Sequence, residues 1–167
     1  CILKLMLSDS LYFGFLGLSF CLSYVGVLLF FCYFFKHKVD ILTTRSAISI
    51  GIIACGFIFL ANIFYYLLPD HALQNRLLHI FAGGFLSFMV CFLAAKDSRV
   101  PINRMRLFIC AFLLITALGV ANEIAEMFLH LHFGLSYSTD PLDTAYDLAC
   151  NWLGAAIAAC CLLPFFK

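Results

Sequence analysis

The sequence has few charged residues for its length. Of its 167 residues only 11% are charged, ten of them basic and nine acidic, whereas about a quarter are charged in a typical soluble domain. So few charges cannot cover a water-exposed surface. The net charge of +1 also provides no basic face for nucleic acid. The composition therefore excludes a soluble enzyme fold, a disordered tail and a nucleic-acid-binding module.

The sequence also lacks a cysteine framework. Nine cysteines are present, but no C-x-x-C pair occurs, and all except Cys1 lie within apolar runs. We interpret those in the runs as small packing side chains rather than as disulfide partners or metal ligands. Because the sequence starts at Cys1 and not at methionine, we expect that further residues precede it.

Long hydrophobic runs fill most of the sequence. Hydrophobic residues make up 65% of it, and five runs approach the ~20 residues that a membrane-spanning helix needs. We predict helices at 11–35, 46–68, 77–95, 107–129 and 143–166, because backbone in hydrocarbon must satisfy its own hydrogen bonds. With short loops between them, residues 1–167 are predicted to form one all-α integral membrane domain, a compact bundle of five transmembrane helices.

The basic residues predict the orientation of this bundle. They fill the first and third loops and the C-terminus, whereas the second loop has only Arg76 and the fourth has none. The positive-inside rule therefore places the C-terminus in the cytoplasm and the N-terminus outside. The cytoplasmic side then has eight basic and two acidic side chains, a net charge of +6. The outer side, with the outer third of the membrane, has two basic and seven acidic side chains, a net charge of −5.

Polar residues from four helices are expected in one layer, the outer third of the membrane. With a rise of ~1.5 Å per residue, Glu123 and Glu126 lie roughly 24 to 29 Å from the cytoplasmic start of their helix. The other members of the layer are Asn62, Arg76, His79, Asp143, Asp147 and Asn151. No comparable group of polar residues is expected in the inner half.

Within each helix these residues share a face. Glu123, Glu126 and His130 have the spacing i, i+3, i+7 of one helical face. The last helix continues the same rule through Asp140, Asp143, Asp147, Asn151 and Gly154. Ionisable groups within a membrane are costly unless they are paired or line a wet cavity. We therefore predict that these faces meet in an acidic, partly hydrated pocket that opens outward, with Arg76 as its main cation.

Structural explanations stay open for several of these residues. Asp140 and Asp143 have the positions of an N-cap and a first-turn acid at the start of the last helix. A Glu123–Arg76 pair that only fixes the helix register is the main structural alternative for the glutamates. However, such a pair accounts for only one carboxylate, and Glu123 and Glu126 provide two carboxylates one turn apart.

Three kinds of function fit such a site. If a divalent metal ion is present, its candidate ligands are Glu123, Glu126, His79 and Asp147, and it would clamp a phosphate or activate water at the headgroup level. The site could instead bind an amine-bearing lipid, an antibiotic or a proton without catalysing a reaction. The protein could also be a non-catalytic accessory subunit of a larger membrane complex. No haem is expected, because no histidine pair lies deeper in the bundle.

Three stretches of the sequence resemble the VanZ-like group of small bacterial membrane proteins. They are Arg76-Leu-Leu-His79-Ile-Phe-Ala-Gly83-Gly84, Glu123-Ile-Ala-Glu126 and Asp140-Pro-Leu-Asp143-Thr-Ala-Tyr-Asp147-Leu-Ala-Cys-Asn151-Trp-Leu-Gly154-Ala. Within the group they are most similar to the YjdF-type inner-membrane branch. The resemblance implies a bacterial cytoplasmic membrane and work on the cell envelope. It marks as important positions His79, Glu123, Asp147, Asn151 and Gly154.

These patterns together define a candidate site and its expected function. The candidate catalytic residues are His79, Glu123 and Asp147. The candidate binding residues are Arg76, Glu126, Asp143, Asn151, Gly154 and Asn62. We expect the site to bind a lipid or cell-envelope headgroup, with processing of that headgroup as an extension, and the accessory subunit is the alternative. The expected partners are membrane lipids and, under the alternative, other transmembrane subunits; no nucleic-acid partner is expected.

Overall fold

A computed structural model of the chain describes residues 2–35, 43–133 and 141–166. Within these ranges the secondary structure is helical and no strand occurs. The helices are α1 (Ile2–Phe34), α2 (Thr44–Leu67), α3 (His71–Leu78), α4 (Ser87–Ser98), α5 (Arg104–Phe133) and α6 (Pro141–Leu162). A π-helical stretch, His79–Leu86, joins α3 to α4 and is called the π segment below, and a 3-10 turn, Leu163–Phe165, follows α6.

Within the part of the chain that the structure describes, five helical spans are long and apolar enough to cross a membrane. They are Gly17–Phe34, Thr44–Phe64, Ala72–Ser98, Arg104–His132 and Pro141–Phe165. The third span contains α3, the π segment and α4. The predicted fold class, an all-α membrane protein with five transmembrane helices, is confirmed, while the orientation in the membrane stays a prediction.

Local capping signals set two of the helix starts. Before α2, the side chain of Thr43 accepts a hydrogen bond from the Ser46 N–H, and the Ser46 hydroxyl accepts one from the Thr43 N–H at 2.9 Å. Before α3, the Asp70 carboxylate accepts from the N–H groups of Ala72 and Leu73. Helix α3 therefore begins at His71, six residues before the predicted start of the third helix, so that residues 75 and 76 lie on a helix and not in a loop.

The outer surface of the bundle is apolar. The core contains fully buried Tyr24, Phe31 and Phe88, and many other large hydrophobic side chains face outward, among them Phe59 and Phe165. A soluble protein rarely exposes contiguous apolar patches beyond a few hundred Å². Lipid is therefore the solvent that fits this surface.

The closest helix contact is between the π segment and α6. A Cβ atom on Gly154 would overlap the carbonyl oxygen of Ile80, and one on Gly84 would lie 2.7 Å from the Gly154 Cα. Only glycine therefore allows the two backbones to approach this closely. The contact fixes the face of α6 that meets the third span, and with it the positions of the polar residues on both.

A buried polar cluster lies around Asp97, at the end of the bundle where α2 begins and α4 ends. The Asp97 carboxylate accepts hydrogen bonds from the Tyr24 hydroxyl at 2.7 Å and the Ser49 hydroxyl at 2.6 Å, and Arg45 lies 3.9 Å away. The expectation that the predicted inner half holds no such group is therefore wrong. Asp97 follows Lys96 and lies beyond the predicted end of the third helix at residue 95, but α4 continues to Ser98 and the side chain of Asp97 is buried.

Candidate functional site

Arg76 joins α3 to α6 through two carboxylates. Its Nη2 atom lies 2.5 Å from the Asp143 Oδ1 atom, and its Nη1 atom donates to Asp147 and to the Asp143 main-chain oxygen. The guanidinium carbon lies 4.9 Å from the centre of the Tyr146 ring. The Arg76 side chain is 27% exposed, whereas that of Asp147 is 4% exposed. One cation thus neutralises a buried and a half-buried carboxylate together.

Asp147 also contacts two other residues of the third span. The Asn75 amide nitrogen lies 3.2 Å from both carboxylate oxygens. On the other side, His79 Nε2 lies 3.4 Å from Asp147 Oδ2. Asp147 is therefore bound by Asn75 and Arg76 and lies next to His79, three side chains of one helix face.

The ring of His79 is oriented by Asn151. The His79 Nδ1 atom lies 3.2 Å from Asn151 Oδ1. Because an amide oxygen can only accept a hydrogen bond, Nδ1 would be the donor in this contact. The Nε2 atom then faces the Asp147 carboxylate, as an N–H of the charged ring or as the lone pair of the neutral ring.

The two glutamates of α5 complete the site. Ligand atoms of Glu123, His79 and Asp147 all lie within 4.8 Å of one another. The Oε1 atom of Glu123 is shielded from solvent and has no hydrogen-bond partner among the described residues. One turn further along α5, the Oε1 atom of Glu126 accepts a hydrogen bond of 2.7 Å from Asn122. The site therefore has four carboxylates, of which Asp143 and Asp147 pair with Arg76 and Glu123 lies near His79 and Asp147.

A cavity of about 450 Å³ adjoins this polar cluster. Its polar wall contains Asn75, His79, Asn122, Glu126 and Asn151. Its apolar wall contains Phe20, Phe57, Leu78, Ile115 and Leu118. Helix α1 contributes two serines and Phe20, and all five membrane-spanning segments contribute to the wall. The lining therefore combines polar and apolar side chains, and both kinds would be available to an amphiphile.

The structure brings most of the candidate residues together. Residues in contact at the site or on the cavity wall are Arg76, His79, Glu123, Glu126, Asp143, Asp147 and Asn151. Gly154 lies next to them as the backbone contact between α6 and the π segment. Asn62 is not among them, because it is exposed and donates to the Ile58 carbonyl of its own helix at 2.7 Å. Asp140 lies outside the described residues.

Two contributors to the site were missed in the sequence. Asn75 precedes His79 by four residues and so shares its helix face, but the start of the third helix was predicted too late to show this. Asn122 precedes Glu126 by the same interval on α5. In both cases the sequence does contain a signal: an asparagine four residues before a titratable residue lies on the same helix face as that residue.

The family described as Predicted membrane protein (DUF2238) matches residues 4–167. The match covers the two N-terminal spans as well as the three that contain the polar cluster. Neither a curated protein nor a solved structure matches the chain.

Proposed function

Because the chain belongs to the family described as Predicted membrane protein (DUF2238), we propose a function that takes its ligand from the bilayer. The ligand is an amphiphile with an amine-bearing headgroup, either a membrane lipid or a component of the cell envelope. The observation that carries this proposal is the cavity beside the polar cluster, with Glu126 on its wall.

The size of the cavity and its mixed lining of polar and apolar side chains support an amphiphile as the ligand. Its volume of about 450 Å³ lies within the roughly 300–1,000 Å³ of small-molecule sites. A headgroup at the polar wall would have the amides of Asn75, Asn122 and Asn151 as hydrogen-bond partners. An acyl or isoprenyl chain would pack against Phe20 and Phe57.

The charge of the wall supports an amine in the headgroup. Glu126 lines the cavity, and none of the other lining residues is a lysine or an arginine. In the described contacts, Asn122 donates a hydrogen bond to only one of the two carboxylate oxygens of Glu126. An ammonium group would form a charge-assisted hydrogen bond with the other. The predicted outward orientation and the resemblance to the VanZ-like, YjdF-type proteins support a headgroup of the bacterial cell envelope.

The proposal predicts that phosphatidylethanolamine binds through Glu126. The affinity of the purified protein in mild detergent for phosphatidylethanolamine and phosphatidylglycerol would be measured by native mass spectrometry. The wild type should bind phosphatidylethanolamine more tightly than phosphatidylglycerol. Glu126→Gln should lose at least about tenfold in affinity for phosphatidylethanolamine, because a hydrogen bond to a charged group contributes about 1.5–3 kcal/mol.

Asp70→Asn is the matched control, because it also removes one carboxylate charge, lies outside the cavity and keeps a side chain that caps α3. Its affinity should equal that of the wild type. A second pair uses exposed alanines of α5: Ala121→Phe fills the cavity wall and should reduce binding, whereas Ala117→Phe does not touch the wall. Equal affinities for both lipids, or a partner protein that copurifies in stoichiometric amount without bound lipid, would contradict the proposal.

A further inference from the structure

We propose that His79, Glu123 and Asp147 form a binding site for one divalent transition-metal cation of the Zn²⁺ type. This inference goes beyond the amphiphile cavity, because Glu123 and Asp147 do not line that cavity. The three ligands come from three different helical elements, the π segment, α5 and α6. The metal site would therefore exist only in the assembled bundle.

The distances between the ligand atoms fit a metal. Four ligands at about 2.0–2.1 Å from a tetrahedral Zn²⁺ lie about 3.3–3.4 Å from one another, and His79 Nε2 lies 3.4 Å from Asp147 Oδ2. The third atom, from Glu123, lies within 4.8 Å of both. Rotation about the Glu123 side-chain torsions would bring its carboxylate onto the ion. Three protein ligands leave the fourth coordination position open, as in catalytic zinc sites.

The three groups offer their acceptor atoms to one another. In the neutral ring with its proton on Nδ1, the Nε2 atom of His79 and the Asp147 carboxylate are two acceptors 3.4 Å apart, which a cation between them would join. A proton between them would relieve this contact but would leave the Glu123 Oε1 atom, shielded and unpartnered among the described residues, unsatisfied. A divalent cation satisfies all three groups together.

The residues behind the ligands also suit a metal. Metal-bound histidines usually donate their second ring nitrogen to an oxygen acceptor, which fixes the ring, and Asn151 Oδ1 has this position at 3.2 Å from Nδ1. Arg76 and Asn75 bind the carboxylate of Asp147 and hold it toward His79. These contacts orient two of the three ligands before an ion arrives.

The charge of the site agrees with a divalent ion. The ligand cluster and its neighbours have four carboxylates, on Glu123, Glu126, Asp143 and Asp147, and one guanidinium, that of Arg76, which pairs with Asp143 and Asp147. In formal charges, one positive charge stands against four negative ones. Uncompensated charge within a membrane is costly. A divalent cation would reduce the excess from three negative charges to one.

The test measures metal content and affinity in the full chain, purified without a histidine tag. After removal of metals with a chelator, the protein in detergent is titrated with Zn²⁺, and bound metal is counted by inductively coupled plasma mass spectrometry. The wild type should bind one equivalent. Glu123→Gln should weaken that binding by at least about a hundredfold, since loss of even an outer-shell partner costs about 10- to 100-fold.

Asp70→Asn is the matched control, since it also turns a carboxylate into an amide, lies outside the ligand cluster and keeps a side chain that caps α3. It should keep the Zn²⁺ affinity. Glu123→Gln should fold, because the shielded oxygen of Glu123 has no hydrogen bond to lose among the described contacts. Its thermal unfolding in chelator should therefore match that of the metal-free wild type. No bound equivalent in the wild type, or equal losses in the two variants, would overturn the metal site.

X-ray absorption at the zinc edge tests the wild type without any variant. Nitrogen and oxygen neighbours with an imidazole signature are expected. Because the chain contains nine cysteines, sulfur neighbours would place the ion elsewhere and overturn the site. Phosphatidylethanolamine binding is also compared between the metal-free wild type and metal-free Glu126→Gln. This comparison tests the amphiphile proposal without metal, so either that proposal or the metal site can fail while the other holds.

Discussion

Arg76 is 2.5 Å from Asp143 and also pairs with Asp147, whose side chain is 4% exposed. A carboxylate buried to this extent in a membrane protein is stable only when it is paired and hydrogen-bonded. A lysine would not replace the arginine, because its ammonium lacks the planar fork that reaches two carboxylates and stacks on Tyr146. At the scale of single residues, the arginine therefore determines whether the acidic site can be assembled.

Arg76→Met should destabilise the protein by about 3 kcal/mol, because it leaves the buried Asp147 without its cation. The free energy of unfolding would be measured by denaturant titration in bicelles. Arg106→Met is the control, since Arg106 is exposed and its loss should cost less than about 0.5 kcal/mol. Adding Asp143→Asn and Asp147→Asn to Arg76→Met should restore part of the stability. Equal, small effects of the two arginine changes would show that the ion pairs contribute little.

The polar cluster depends on how the π segment packs against α6. A π-helix has one more residue per hydrogen-bonded ring than an α-helix, and such stretches are frequent at functional sites. Here it begins at His79 and contains Gly83 and Gly84, which face Asn151 and Gly154 of α6. The same contact that brings the backbones together thus places His79 beside Asp147.

Gly154→Ala should therefore separate the two elements. Its Cβ atom would overlap the Ile80 carbonyl oxygen and lie 2.9 Å from the Phe85 nitrogen, both backbone atoms that cannot move independently. We expect a loss of at least about 2 kcal/mol in unfolding free energy, together with weaker binding at the site. Gly51→Ala is the control, because nothing lies within 4 Å of a Cβ atom at that position. An unchanged stability of Gly154→Ala would exclude the close contact.

The sequence predicted the helices better than their mutual rotation. Apolar runs are sufficient to locate five spans, because the membrane requires them. The polar start of α3 was missed since His71–Leu78 has little hydrophobicity of its own, although Asp70 is an N-cap signal. Depth along a helix follows from counting residues, and so Asn62 was placed at the height of the site. Its direction around the helix depends on packing against neighbours, and in the structure it faces outward.

The buried cluster around Asp97 shows the same limit. Next to Lys96 the residue has the sequence context of a solvated loop, and no local pattern predicts that Tyr24, 73 positions earlier, bonds to it. The π segment likewise has no signature in the periodicity of its apolar residues. Long-range pairs and irregular helical turns come from tertiary packing, which a single sequence does not contain.

At the scale of the whole molecule, the described arginines and lysines are concentrated at one end. Arg45 lies near Asp97, and Arg104 at the start of α5 donates to the carbonyl of Phe166 at 2.7 Å. The start of α5 and the end of the last span therefore meet at this end, whereas the acidic site lies at the other. The positive-inside rule predicts that the basic end is cytoplasmic and that the cavity opens toward the outer leaflet.

This orientation predicts the activity of reporters fused to the chain in bacterial cells. Green fluorescent protein after residue 167 should fluoresce and alkaline phosphatase there should be inactive, since the first folds in the cytoplasm and the second requires the oxidising periplasm. Fusions after Pro69, between α2 and α3, should give the opposite pair of results. Phosphatase activity at residue 167 together with fluorescence at residue 69 would reverse the bundle. The acidic site would then meet headgroups of the cytoplasmic leaflet, and an amphiphile of the outer envelope would no longer be its ligand.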